Sequence, residues 1–282
     1  MPLYLVFTPI GNLEDITLRA LRVLREADVI AAEDTRHSGR LLAHYQISKP
    51  LISLHEHNEN ARIQAILARL AAGESVALIS DAGAPTISDP GYQLVRAAVE
   101  AGFQPQPIPG PSAFLTALTA SGLPTDRFLF LGFAPRKNKA RAALLQELKD
   151  EPGVLIFYES PRRLHALLEA IAHALGPGRL LVIARELTKR YETFWQGTAQ
   201  EALTAFVQPP KGEIVVMVAG ATTAAPEISE SVLTALAHLQ EGGLSTSDAA
   251  RLLADITGLP RRALYQRALH RSRPPGPRPD DD

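Results

Sequence analysis

The chain contains no cysteine, which excludes disulfides and thiolate chemistry and fits a reducing interior. It also lacks long hydrophobic runs, since no apolar stretch approaches the roughly 20 residues that a membrane-spanning helix requires. The first residues, Met1-Pro2-Leu3-Tyr4, carry no basic segment leading into an extended apolar one. A cytoplasmic protein is therefore expected, with no membrane partner. Charge of one sign is scarce as well: 29 Lys and Arg oppose 30 Asp and Glu, a net of -1, so affinity for nucleic acid would need a local basic face. Aromatic residues make up only 6% of the chain, which speaks against a broad apolar trough for a large planar substrate. No G-x-G-x-x-G is present, and a nicotinamide enzyme of the Rossmann type loses its chief support.

What is present is a repeated alternation of short apolar runs and helical patterns over 282 residues, a length sufficient for more than one core. Leu3–Phe7, Val29–Ala32, Leu51–Leu54, Val76–Ile79 and a run ending near Ile108 read as parallel strands, with helices from about Thr17, over 60–72, after Gly91 where Leu94, Val95, Ala98 and Ala101 share a face, and over 114–121. Asp15 or Thr17 would cap the first helix. In each unit the polar and glycine-rich residues follow the strand, where open α/β sheets hold ligands. A break at Gly122-Leu123-Pro124 marks a junction. Beyond it, strand-like runs at 128–133, 154–158, 180–184, 192–195 and 213–218, with helices at 139–149 and 162–175 and a short one between the last two strands, predict a mixed α/β sheet. Thr222–Pro226 is a linker by composition, and helical patterns at 247–255 and 261–269 flank Gly258 in the manner of a helix-turn-helix. Six arginines (Arg251, Arg261, Arg262, Arg267, Arg271, Arg273) face three acids (Glu241, Asp248, Asp255) there, a balance that suits either nucleic-acid contact or a solvated helical pair. The expected divisions are 1–121 and 122–222 as two α/β domains, 227–272 as the helical segment and 273–282 as a disordered tail.

The densest functional signal is Ile79–Gly91, which holds two glycines, two prolines and two aspartates in thirteen residues. Small residues at Ala82, Gly83 and Ala84 let backbone approach a bound molecule, while Pro85 and Pro90 restrict the loop. A single segment of this kind would pass for a surface turn. A second, Ile108-Pro109-Gly110-Pro111-Ser112-Ala113, follows the next strand. Asp34 and Arg36, then His55, Glu56, His57 and Asn58, then Asp81 and Asp89, all fall after successive strands, so one end of one sheet carries them. His55 and His57 would share a face of extended chain, but no third ligand of suitable spacing stands nearby and no metal is expected. Past the later strands, Arg162, Arg163, Arg185 and Lys189 suit either phosphate or ion pairs with Glu159 and Glu186.

These residues carry a resemblance. Thr8–Leu13, Glu33–Arg36, His55–Glu59, Ser80–Gly91 and Ile108–Ala113, in order along residues 3 to about 220, resemble the ribosomal RNA small subunit methyltransferase I family within the tetrapyrrole methylase superfamily. The C-terminal helical segment is similar to the one found in that family. The resemblance implies two α/β domains of the tetrapyrrole methylase type with S-adenosylmethionine (SAM) in the cleft between them. It further implies a homodimer that methylates the ribose 2'-hydroxyl of a cytidine in small-subunit ribosomal RNA. Implied SAM contacts are Pro9, Ala82, Gly83, Ala84, Ile87, Ser112 and Ala113, with Tyr158, Leu187 and Ala219 from the second half. Ala84 stands where the family often has threonine, which removes a hydroxyl but not the main-chain contacts. Candidates to draw off the acceptor's proton are Asp81, Glu33, Asp34 and His55; candidates to bind the RNA are Arg36, His57, Asn58, Arg162 and Arg163. A methylase of small tetrapyrroles and a non-catalytic RNA-binding module are the competing readings.

Overall fold

A computed structural model describes residues 2–55, 58–221 and 228–271. They fall into two compact units divided after Gly220. In the first unit, β1 (Leu3–Val6), β2 (Val29–Ala32), β3 (Leu51–Ser53), β4 (Val76–Ile79) and β5 (Pro105–Ile108) form an all-parallel sheet in the order β3-β2-β4-β1-β5. Between them run α1 (Leu18–Glu26), α2 (Thr35–His44), α3 (Glu59–Ala71) and α4 (Tyr92–Glu100), and α5 (Ala113–Ala120) follows β5. Every residue of β2 and β4 is buried, as expected of central parallel strands covered on both faces. Alternation divides them: Ile30 and Ile79 pack with Ala20, Leu24 and Leu42 on the α1–α2 side, whereas Val29, Ala31 and Leu78 pack with Ile66, Leu70 and Leu94 on the α3–α4 side. Each fully buried Leu or Ile contributes roughly 1.5–3 kcal/mol. Thr17 caps α1, its hydroxyl accepting from the Ala20 amide at 3.1 Å.

The second sheet holds β6 (Phe128–Phe133), β7 (Val154–Glu159), β8 (Leu180–Arg185), β9 (Thr193–Thr198) and β10 (Ile214–Val218) in the order β6-β7-β10-β8-β9. It is mixed: β6 and β7 are parallel, while β10 lies antiparallel between β7 and β8. Its helices are α6 (Asn138–Glu147), α7 (Pro161–Leu175) and α8 (Ala199–Ala205). Leu155 and Phe157 face α7, where Leu164, Leu167, Leu168 and Ile171 are fully buried. Val154 and Ile156 point the other way and pack against Ala117 and Leu118 of α5, together with Ile10 and Leu187. Both sheets thus share an apolar layer, which fixes the loops at their facing edges. Because β10 runs against its neighbours, Ile214 at its start lies opposite Glu159 and Arg185 at the ends of β7 and β8.

The second unit contains α9 (Glu230–Glu241), α10 (Thr246–Thr257) and α11 (Arg261–Arg271), closed around Leu236, Ala250, Leu253, Leu264 and Ala268. Ser245 caps α10 by accepting from the Asp248 amide at 3.1 Å, and Gly258 ends it in the left-handed conformation at φ 71°. The linker read at Thr222–Pro226 and the tail at 273–282 lie outside the described residues. Among the described residues no helix is long and apolar enough to cross a membrane.

Candidate functional site

Seven segments meet where the two sheets share their apolar layer. Within the first sheet, Thr8 and Gly83 exchange both backbone hydrogen bonds, at 2.9 and 3.0 Å, and the Thr8 hydroxyl donates to the Ser80 carbonyl at 3.1 Å. Gly83 sits at φ 76°, the left-handed region that only glycine enters without strain. Across the divide, the Asn12 amide donates to Thr188 Oγ1 at 3.0 Å. A Cβ at Gly11 would lie 2.6 Å from Lys189 Cγ and 2.8 Å from the Leu187 carbonyl oxygen, so the segment after β1 and the one after β8 meet backbone to backbone only because that side chain is missing.

These segments enclose a cavity of about 350 Å³. The first sheet contributes Ile10, Ala82, Gly83, Ala84, Ile87, Ser88, Asp89, Ser112 and Ala113; the second contributes Phe133, Tyr158, Glu159, Leu187 and residues 212–215. Ser88 in the wall, Thr86 beside it, and Glu186 and Thr188 on either side of the wall residue Leu187 adopt positive φ of 64°, 74°, 52° and 64°. Non-glycine residues in that region cost of order 1–3 kcal/mol each and concentrate at functional sites. Phe133 and Tyr158 stand edge to face at 5.8 Å, with Phe130 a further 4.9 Å from Tyr158.

Three carboxylates set the electrostatics. Asp89 is raised from 3.8 to about 6, chiefly by burial, with a hydrogen bond to Ser80 opposing and the charge of Asp81 adding to the rise. Glu159, whose side chain has no exposed surface, is also raised by desolvation; one of its oxygens accepts the Ser160 amide at 2.8 Å and the other lies 3.3 Å from Arg163. Glu186 is lowered, first by its hydrogen bond from Lys189. Lys189 bridges Glu186 at 3.0 Å and Glu213 at 2.9 Å.

A second cavity of about 520 Å³ adjoins the first and shares Ile10, Ala82 and Glu213 with it. Pro9, Gly11, His37, Arg40, Asp81 and Lys189 are among its other walls. One Asp81 carboxylate oxygen accepts the Asp34 amide at 3.2 Å.

Of the donor contacts expected from the sequence, Ala82, Gly83, Ala84, Ile87, Ser112, Ala113, Tyr158 and Leu187 line the first cavity and Pro9 lines the second, where the candidate base Asp81 also stands. Ala219 lines neither; its amide donates to the Leu180 carbonyl at the opposite end of the second sheet, where antiparallel β10 ends rather than begins. Asp34 caps α2, accepting the Arg36 amide at 2.8 Å, and its acidity is strengthened first by the Arg36 side chain. Arg36 points to solvent, 3.3 Å from Asp34. Glu33 and His55 are half-buried and line neither cavity. Asn58 is engaged locally, accepting the His55 amide at 2.8 Å and donating to the Ser53 carbonyl at 3.2 Å. Glu56 and His57 lie outside the described residues.

The arginines divide. Arg163 is held by Glu159 and the Ala134 carbonyl, and Arg185 by Thr193 and the Lys211 carbonyl, so both follow the ion-pair and structural alternative. Arg162 is exposed. Sequence reasoning placed Asp89 at the ligand end of the sheet without giving it a role, and it missed Phe133, Gly212, Glu213, His37 and Arg40.

SAM combines an adenosine with a sulfonium and an ammonium. Apolar walls at Ile10, Ile87 and Leu187, aromatic faces at Phe133 and Tyr158, and the carboxylates of Asp89, Glu159 and Glu213 suit such a molecule, since cations are attracted by ring faces and by acids alike. Comparison with known proteins agrees. The family model for Tetrapyrrole (Corrin/Porphyrin) Methylases matches residues 2–203, and that for the RsmI C-terminal HTH domain matches 226–272. Ribosomal RNA small subunit methyltransferase I of Synechocystis sp. is 52% identical over 95% of this chain and 97% of its own, and that of Escherichia coli O157:H7 is 49% identical over 95% and 94%. Among solved structures, the methyltransferase CobJ superposes with a TM-score of 0.61 at 21% identity over 78% of this chain and 94% of its own. Uroporphyrin-III-C-methyltransferase from Thermus thermophilus gives 0.54 at 22% over 77% and 94%. At such identities these two structures speak for the fold alone. The loops after β1, β4 and β5 and the full-length likeness together establish that the chain belongs to the ribosomal RNA small subunit methyltransferase I family of tetrapyrrole methylases.

Proposed function

We propose that this protein transfers a methyl group from SAM to the ribose 2'-hydroxyl of a cytidine in small-subunit ribosomal RNA, in the cytoplasm and as a homodimer. The observation that carries the reading is the cavity walled jointly by the glycine- and proline-bent loops of the first sheet and by Tyr158, Leu187 and residues 212–215 of the second. The relatives of nearly equal length supply the acceptor class through their names. Bound SAM supplies an electrophilic methyl on a sulfonium. The chain's own task is to hold donor and acceptor at reacting distance and to keep water away, which a recess between two sheets does by its walls. Drawing off the ribose proton needs a base, and a positioned general base is worth about 10²–10⁴-fold. Asp81 and Asp89 are the acids best placed for it, because both border the cavities and neither caps a helix. Asp34 is less suited, being committed to α2 and strengthened as an acid.

A homodimer is supported by apolar surface along the edge strand β6 and the neighbouring helix α5. Phe128, Phe133 and Leu115 are 40%, 53% and 45% exposed, and Phe128 stands 6.2 Å from Phe114. Large exposed apolar side chains grouped in this way mark an interface. The helix-turn-helix unit with its arginines is suited to RNA backbone.

The test is mapping of ribosomal RNA by mass spectrometry after incubation of small subunits with SAM and the protein. One methyl on a cytidine ribose, resistant to alkaline cleavage at that position, is expected. Methyl on a base, or transfer only to a tetrapyrrole offered in parallel, would refute the proposal.

A further inference from the structure

The second cavity opens beside the first, touches the implied donor contacts only at Pro9 and Ala82, and is otherwise built of different chemistry. We propose that it seats the acceptor nucleotide, with the RNA phosphodiester against Arg40 and His37 and the sugar facing Asp81. The inference rests on the methyltransferase reading and deepens it.

Three observations support it. The two cavities share Ile10, Ala82 and Glu213, so a molecule in one abuts a molecule in the other. At about 520 Å³ the second lies within the range of roughly 300–1,000 Å³ typical of small-molecule sites, room enough for one nucleotide. Its polar groups also converge: Asp81, fixed by the Asp34 amide, lies at the boundary with the donor cavity.

The cations sort themselves by what already binds them. Lys189 is taken up by Glu186 and Glu213, and Arg36 by Asp34. His37 and Arg40 stand three residues apart on α2 and therefore on one face, both exposed, and no salt bridge engages either among the described residues. The α2 N-terminus offers an anion little, because the Asp34 carboxylate already caps it. Positive charge for a phosphate must then come from Arg40, with the His37 imidazole beside it able to donate a hydrogen bond, and a guanidinium is the group that pairs with phosphate through two parallel hydrogen bonds.

The experiment uses the full chain with undermethylated small ribosomal subunits, in Arg40→Ala, His37→Gln and Arg96→Ala forms; Arg96 lies on α4, paired with Glu100, and serves as the control. Subunit affinity is measured across a salt series, SAM affinity by calorimetry, and methyl transfer by single turnover. For Arg40→Ala, the affinity for subunits falls about tenfold and the slope of log K against log salt becomes shallower by about 0.7–0.9, the signature of one lost phosphate contact. His37→Gln weakens binding by a smaller factor. SAM affinity stays at the wild-type value in both. Wild-type subunit affinity and salt slope in Arg40→Ala would overturn the assignment, as would a parallel loss of SAM affinity, which would make the cavity part of the donor site. A wild-type protein that binds SAM but methylates no ribosomal RNA would instead sink the broader reading, so the two failures are distinguishable.

Discussion

Asp89→Asn tests whether the cavity is built for a positive charge. In the free protein the Asp89 carboxyl is raised from 3.8 to about 6 by burial and by the neighbouring charge of Asp81, against the hydrogen bond from Ser80. Tyr158 from β7 also faces it and is itself raised by burial. A folded-state value above the unfolded one means that the native protein holds this proton more tightly than the unfolded chain does. The penalty for ionising Asp89 is thus absent below about pH 4, grows between about 4 and 6, and is complete above. A shift of about two units at 1.36 kcal/mol each sets an upper bound near 3 kcal/mol, and partial access of water to the cavity brings the expected value to about 1–2 kcal/mol. Asparagine has nearly the same shape and no charge. At pH 8 the variant should therefore melt higher by roughly 2–4 °C per kcal/mol, and near pH 4 the two proteins should melt together. The functional counterpart has the opposite sign. A sulfonium or ammonium beside the carboxylate favours its ionised form, so wild-type affinity for SAM should fall as pH drops through about 6, and the variant should bind weakly with no such dependence. Thermal melts at the two pH values and calorimetry across the range read both effects. A melting difference independent of pH, or a variant less stable than wild type at pH 8, would refute the reasoning.

Gly11→Ala should cost about 1–3 kcal/mol and weaken SAM binding together, because the added methyl displaces the 187–189 segment that walls the cavity; Gly178→Ala, with open space around it, should melt within a degree of wild type. Arg163→Ala leaves the Glu159 carboxylate buried without its partner and should destabilise by about 2–4 kcal/mol, a loss that Arg163→Ala/Glu159→Gln should largely recover in urea titrations. Phe128→Asp on the exposed β6 face should shift the protein from dimer to monomer in sedimentation, with a melting temperature that no longer rises with protein concentration. Ending the chain after Gly220 should keep SAM binding and lower affinity for small subunits, as read by calorimetry and filter binding.

Much of this architecture was legible in the residues. β2 coincides with the apolar run Val29–Ala32, and Thr17 caps α1, because period and cap chemistry are local. The loops after β4 and β5 came together as their glycines and prolines implied. Two helices escaped notice. α2 opens with Thr35-Arg36-His37-Ser38-Gly39-Arg40, which has no apolar residue before Leu41 to mark a buried stripe, so its cap Asp34 passed for a reactive carboxylate. α9 precedes the charged stretch that drew attention to its neighbours. Direction was the deeper gap. An apolar run such as Ile214–Val218 looks the same whichever way its neighbours run, and only the antiparallel pairing brings Gly212 and Glu213 into the cavity and carries Ala219 away. The fate of each cation was equally hidden, since whether Arg163 or Lys189 meets a carboxylate depends on residues far along the chain.

The late arrival of β10 has a consequence for how the protein is made. A growing chain that has completed β7, β8 and β9 still lacks the strand that belongs in the middle, and two inner strand edges remain without partners until residue 218 has left the ribosome. Such edges invite wrong pairing, and at about 5–20 residues per second they stay bare for seconds. The donor pocket, whose walls range from Ile10 to Val215, cannot exist before then, so cofactor cannot assist the early stages of folding, and a premature stop ahead of β10 would yield a sticky fragment rather than a weak enzyme.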